Sequence, residues 1–352
     1  MQYLSMIYFL KDKIKAGDKM ENNKKPLNFG RTDLIYEGLI ENKSADIYVE
    51  ERNLNSFKVY KAMIDENQAL ATSKKKGTYF TIIIDEFNDE LKEELKKVIL
   101  ELIAPYKLTK EDLVLFVGLG NLNITPDALG PKIIDDIFVT SHIYDSLEEN
   151  KFQNVATFTP GVTGTTGIDT HIKIEAVIKA IKPRLIITFD ALCARNVKRI
   201  NKTIQLTDTG ITPGSGVGND RKELSLETLG IPVIAIGVPT VTDSVTISAD
   251  TINYLMQYLY YEINKKKDKE NLYVKGNNFM KEDFTVDDET RKILFGEVGL
   301  LSDSDKINII EEVLTPEGLN YIVSTKDIDE IIENLKSFIG NVINYTFHER
   351  II

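Results

Sequence analysis

Four short runs of apolar residues, separated by segments of helical period, constrain this chain more than any other feature of it. They are Tyr79–Ile84 (YFTIII), Leu113–Val117 (LVLFV), Arg184–Phe189 (RLIITF) and Pro232–Ile236 (PVIAI). Each is aliphatic, β-branched or aromatic nearly throughout, the pattern of a strand covered on both faces. Between them, Asp89–Leu102 repeats at the helical period with a charged outer face, and Asp89 is placed to cap it. Thr170–Ile181 opens at a threonine suited to capping and stops before Lys182-Pro183, and Lys326–Phe338 is a third amphipathic segment. Strands alternating with helices predict an α/β fold: a mostly parallel sheet flanked by helices.

Composition narrows the function classes. The chain carries 43 Lys and Arg against 54 Asp and Glu, a net charge of -11, the opposite of the balance a protein needs to grip phosphate backbones. No direct nucleic-acid partner is expected. A single cysteine, Cys193, excludes an intramolecular disulfide and a cysteine-built zinc site. The three histidines, His142, His171 and His348, offer little for a His-rich metal centre, so neither metal nor cofactor is expected. Cys193 reads as a small core residue just past a strand, and His171 as a polar surface or capping residue.

The apolar run Tyr3–Leu10 lacks a preceding basic segment and a following small-residue cleavage site, and no stretch approaches the ~20 apolar residues of a membrane span. The expectation is a cytoplasmic protein with no membrane partner. Residues 11–30, rich in Lys and Asn, read as a mobile arm, with Met20 an alternative start. The run KKKDKE at 265–270 reads as a solvated loop or helix end.

Chemistry concentrates where strands end. Asp127 lies ten residues after Val117, in GLGNLNITPDALGP, and Asp190 directly follows Phe189, in FDALCAR. In open α/β sheets ligands collect at the carboxyl ends of strands. Two carboxylates meeting there can share a water, one ionised as base and the other protonated as acid, because like charges so close cannot both ionise cheaply. The competing reading is that each aspartate caps a following helix. Glycines cluster at Gly118 and Gly120, beside Asn121; at Gly161, Gly164 and Gly167; and at Gly210, Gly214, Gly216 and Gly218. No Lys-Ser/Thr pair follows and none fits GxGxxG, so tight turns or a polypeptide-binding edge are expected rather than a nucleotide site.

With these runs, RTDL (31–34), GVTGTTGIDT (161–170) and LTDTGITPGSGVGNDRKELSLETLGIPVIAIGVPTVTDSVTI (206–247), the chain resembles the germination protease family of spore-forming bacteria, endopeptidases that degrade small acid-soluble spore proteins. The resemblance runs from about residue 30 to the end. It implies a fold similar to hydrogenase-maturation endopeptidases and an atypical aspartic peptidase whose two aspartates fall on Asp127 and Asp190. It implies a zymogen that cuts itself between Asp33 and Leu34, after an acidic residue, and a homotetramer housed in the forespore. The expected organisation is then an arm or propeptide over 1–33 and a peptidase domain over 34–352 with a Gly-rich insertion near 201–230. Backbone amides of the turn at Gly118, Gly120 and Asn121 are candidate donors to an oxyanion. The chain departs from the family pattern at Leu122, where a bulky aromatic is usual, at Cys193 for Ala, at Thr163 and Thr165 for apolar residues, and at Ile35, a position usually small. A metal-assisted peptidase using the same carboxylates, and a non-catalytic peptide-binding module, are the alternatives.

Overall fold

The computed structural model describes residues 34, 35, 37, 47–72, 74–147, 151–214, 222–265, 286–314 and 321–348. The arm over 1–33 with its bond at Asp33, Gly216 and Gly218, and all of the KKKDKE run but Lys265 lie outside the described residues. The strands are β1 (Val49–Asn53), β2 (Phe57–Ile64), β3 (Gly77–Ile84), β4 (Val114–Gly118), β5 (Val155–Phe158), β6 (Leu185–Cys193), β7 (Thr203–Thr207), β8 (Val233–Asp243) and β9 (Ile322–Val323). The helices are α1 (Glu66–Thr72), α2 (Asp89–Ile103), α3 (Leu129–Asp135), α4 (Thr163–Thr166), α5 (Thr170–Ile181), α6 (Leu226–Leu229), α7 (Ser244–Lys265), α8 (Asp288–Phe295), α9 (Asp303–Leu314) and α10 (Ile328–Phe347).

One sheet joins the strands in the order β1-β2-β3-β7-β8-β6-β4-β5, with β9 pairing β8. Only β8, β6, β4 and β5 run parallel; every other pairing is antiparallel. The sheet is therefore mixed, with a parallel core and an antiparallel wing, rather than mostly parallel as the apolar runs predict. The run Tyr79–Ile84 misleads because a strand buried on both faces looks the same in either orientation: β3 is covered by α2 yet pairs antiparallel with β2 and β7.

Alternation sorts side chains between two layers. Val114 and Phe116 of β4, Leu185, Ile187 and Phe189 of β6, and Ile234, Ile236 and Val238 of β8 face the core shared with α2, α3 and α10. Phe116 and Phe189 stack at 6.0 Å, and Phe347 of α10 meets Phe116 edge-on at 5.2 Å. Burying each such ring contributes on the order of 1.5–3 kcal/mol. Leu115, Val117, Ile186 and Val233 face the opposite side, against Ile174 and Ile178 of α5. The side chains of β6 that follow on this second face are Thr188, Asp190 and Leu192.

Helix starts differ by one residue from expectation. Asn88, not Asp89, caps α2, accepting from the Leu91 N–H, and Asp169, not Thr170, caps α5, accepting from the His171 N–H at 2.8 Å. α5 ends as expected at Lys182, which takes the left-handed conformation (φ 50°) before Pro183. α10 runs on to Phe347, beyond the expected Phe338. None of the described helices is long and apolar enough to cross a membrane.

Candidate active site at the ends of β4 and β6

The parallel strands give the sheet a reversal point. β4 is followed in sequence by β5 on one side of it and then by β6 on the other. Connections leave β4 and β6 in opposite directions, and it is at the carboxyl ends of strands at such a reversal that α/β sheets hold ligands. Asp190 is the sixth residue of β6, and Asp127 stands on the loop that leaves β4. Asp127 thus lies on the loop after β4 and Asp190 within the adjacent β6, both beyond the last β4 residue of the parallel ladder.

The loop after β4 is held by its own backbone and by both neighbouring strands. The Leu119 N–H donates to the Phe189 carbonyl at 2.8 Å, fastening the loop to β6 beside Asp190. Gly120 follows with φ +120°, where a Cβ would run into the carbonyl oxygen of Asp127. Only glycine accommodates that turn without strain. The Asn121 N–H donates to Asp127 Oδ2 at 2.8 Å and to the Asp127 carbonyl at 3.1 Å. A 3-10 turn over Thr125–Asp127 then carries Asp127, half-buried. Asn121, expected as an oxyanion donor, thus directs its N–H at the Asp127 side chain.

Thr240, a residue of the 206–247 run that nothing local singles out, locks this turn. Between β6 and β8 the ladder slips at Leu192/Cys193: Leu192 pairs with Pro239 and Cys193 with Val241, leaving Thr240 as the extra residue of a bulge. Bulges re-aim side chains. The fully buried Thr240 hydroxyl donates to the Pro126 carbonyl at 2.6 Å, tying the residue before Asp127 to β8.

Neither aspartate caps a helix. α3, the helix after Asp127, has no side-chain cap, and Asp190 sits inside a strand, 6% exposed, with Oδ1 accepting from the Ala191 N–H at 2.9 Å. The contrast is Asp243 at the end of β8. It is a true cap, taking the Thr246 N–H at 2.6 Å and its hydroxyl at 3.0 Å.

Cys193 is buried at the end of β6. His171, expected as a surface or capping residue, is buried in the first turn of α5, which Asp169 caps, and burial holds its imidazole below the usual histidine range. His348 is buried against Phe138 and Phe152, while His142 is exposed. Gly210 (φ +80°) and Gly214 (φ +75°) make turns as expected. Among the described residues no group of three or more His, Cys, Asp or Glu side chains is arranged to hold a metal ion.

Residues 36–352 match the family model described as germination protease, peptidase family A25. Curated relatives named germination protease are similar over most of their length. The one from Oceanobacillus iheyensis is 43% identical over 318 residues, 86% of this chain and 86% of the relative. Those from Bacillus velezensis and Bacillus cereus are 40% and 39% identical, covering 94% and 93% of this chain and 97% of each relative.

Proposed function

As this chain belongs to the germination protease family, we propose that it is a self-processing endopeptidase that begins the breakdown of small acid-soluble spore proteins during germination. It cuts after an acidic residue, and the Asp127/Asp190 pair activates the attacking water. The single observation that supports this most is the reversal of strand order at β4. It leaves two carboxylates, neither engaged as a helix cap, at the carboxyl ends of adjacent parallel strands.

The chemistry follows from coupling. In a confined crevice one carboxyl of a close pair keeps its proton while the other stays ionised. The ionised group takes a proton from water as the oxygen attacks the amide carbon, and the protonated group delivers its proton to the leaving nitrogen. The water oxygen then forms the new carboxylic acid and the C–N bond breaks, without a covalent enzyme intermediate. A zymogen cut between Asp33 and Leu34 uses the same centre. The enzyme acts as a homotetramer in the forespore.

The test is Asp127→Asn and Asp190→Asn, assayed on a small acid-soluble spore protein. Each substitution lowers cleavage by about 10²–10⁴-fold, the usual contribution of a general acid or base, with an unchanged melting temperature. Undiminished cleavage by both variants overturns the pair. Self-processing is read from the intact mass, which loses the residues before Leu34 in the wild type and keeps them in either variant.

A further inference from the structure

Leu34, Ile35 and Glu37 lie on the Asp190 face of the sheet. Leu34 is fully buried against Leu192 and Ala194, two and four residues beyond Asp190, with Ile200 and Ile211 closing the pocket. The next amide, the Ile35 N–H, donates to Gln205 Oε1 at 2.7 Å. Gln205 of β7 pairs with Gly237 of β8, and Gly237 pairs with Asp190 of β6. Residues in register share a face, so Gln205 and Asp190 flank one position that has no side chain. A Cβ at Gly237 would stand 2.6 Å from the Leu192 side chain, so glycine there keeps the Leu34 pocket and the row beside it open together. Two residues further on, the buried Glu37 carboxylate accepts the N–H groups of Arg195 and Asn196 at 2.8 Å each.

We propose that this row is the substrate's binding track on the leaving-group side of the scissile bond. The pocket of Leu192, Ala194, Ile200 and Ile211 receives the aliphatic side chain that follows the cut. Gln205 accepts the N–H of the residue after that. The inference rests on the catalytic reading above and deepens it: the bond proposed for self-cleavage immediately precedes Leu34, so the first residue beyond it already fills the pocket. An apolar side chain and one main-chain N–H are features that any peptide with an aliphatic residue at this position offers. The chain's own Leu34 and a substrate therefore compete for one pocket, and an incoming peptide displaces it.

The experiment uses the full chain and two peptides identical except for Leu or Ala after an acidic residue, with kcat and KM measured for each. The wild type favours the Leu peptide. Ala194→Leu fills the pocket and raises KM for the Leu peptide about tenfold or more while sparing the Ala peptide, a methyl-scale discrimination. Ile200→Phe narrows the same pocket from its half-buried rim and gives the same reversal if Ala194→Leu does not fold. Gln205→Leu raises KM about tenfold for both peptides with kcat retained, the loss of one hydrogen bond, and Gln205→Glu restores an acceptor and most of the affinity. A folded pocket variant that still prefers Leu, or a Gln205→Leu enzyme with unchanged KM, overturns the track while leaving the carboxylate pair standing. A wild type whose intact mass shows loss of the residues before Leu34 and that still cuts neither peptide overturns the catalytic reading, and the track with it.

Discussion

The hydroxyl of Thr240 and the carbonyl of Pro126 meet at 2.6 Å, joining a bulge in β8 to the turn that carries Asp127. Two elements more than a hundred residues apart thereby set the height of one carboxylate above the sheet. Thr240→Val keeps the shape and removes the donor. It leaves the buried carbonyl without its partner, at a cost of about 1–3 kcal/mol. Misplacing a catalytic group by about 1 Å can lower turnover about a hundredfold. The expected outcome is a kcat reduced ten- to a hundredfold with KM little changed, and near-normal kcat in Thr240→Ser. Steady-state kinetics on an acidic-site peptide decide it; full kcat in the valine variant means that β8 does not position the turn.

Gly120 is a second point of support. Its φ of +120° lies where side chains are strained, and a Cβ would collide with the Asp127 carbonyl. Strain of that kind costs about 1–3 kcal/mol before the collision is counted. Gly120→Ala therefore lowers the urea midpoint and activity together, because relief of the clash moves the Asp127 backbone. An alanine variant with wild-type midpoint and rate shows that the turn has room to spare.

The parts of this site that were legible in the sequence are those with a one-dimensional signature. β4, β6 and β8 are continuous apolar runs because both faces of each are covered, and Asp190 directly follows such a run. Asp127 was legible through its glycine-rich approach from β4. Thr240 and Gln205 were not, because their roles arise from registry between strands. A threonine becomes the extra residue of a bulge only when β8 slips against β6, and a glutamine lies in line with Asp190 only through the intervening Gly237. The antiparallel wing has no one-dimensional signature for a related reason. Nothing local in β3 tells which way its neighbours run. A histidine at a helix start says nothing of what packs over it, so the burial of His171 has no local signature.

Glu37 ties the N-terminal segment to the stretch just past β6 by accepting two backbone N–H groups, from Arg195 and Asn196. Hydrogen bonds to a buried carboxylate contribute more than neutral ones, about 1.5–3 kcal/mol. Glu37→Gln retains one acceptor oxygen and brings a second donor against an N–H. Stability falls by roughly 1–2 kcal/mol, and amide hydrogen exchange accelerates at Arg195 and Asn196 but not in β4. Unchanged exchange at those two amides means that the latch is not held by Glu37.

His348 ends α10 in a pocket of Phe138 and Phe152, its Nε2 3.2 Å from the Phe138 carbonyl, an arrangement in which the neutral ring donates. Burial pushes its pKa down from 6.5 to about 4; the Phe138 carbonyl opposes that shift, and the positive charge of Lys110 adds to it. Because the folded value is depressed, the unfolded chain binds the extra proton first as pH falls. Stability from this group is complete above pH 6.5, declines as pH drops, and is gone near pH 4. After allowance for solvent screening the effect is on the order of 2 kcal/mol. His348→Gln removes the titration but keeps a donor for the Phe138 carbonyl, so its urea midpoint varies less with pH than that of the wild type over this window. Parallel curves for the two proteins between pH 7 and pH 4.5, roughly the span of the shift, eliminate His348 as a source of acid sensitivity and assign it to the carboxylates.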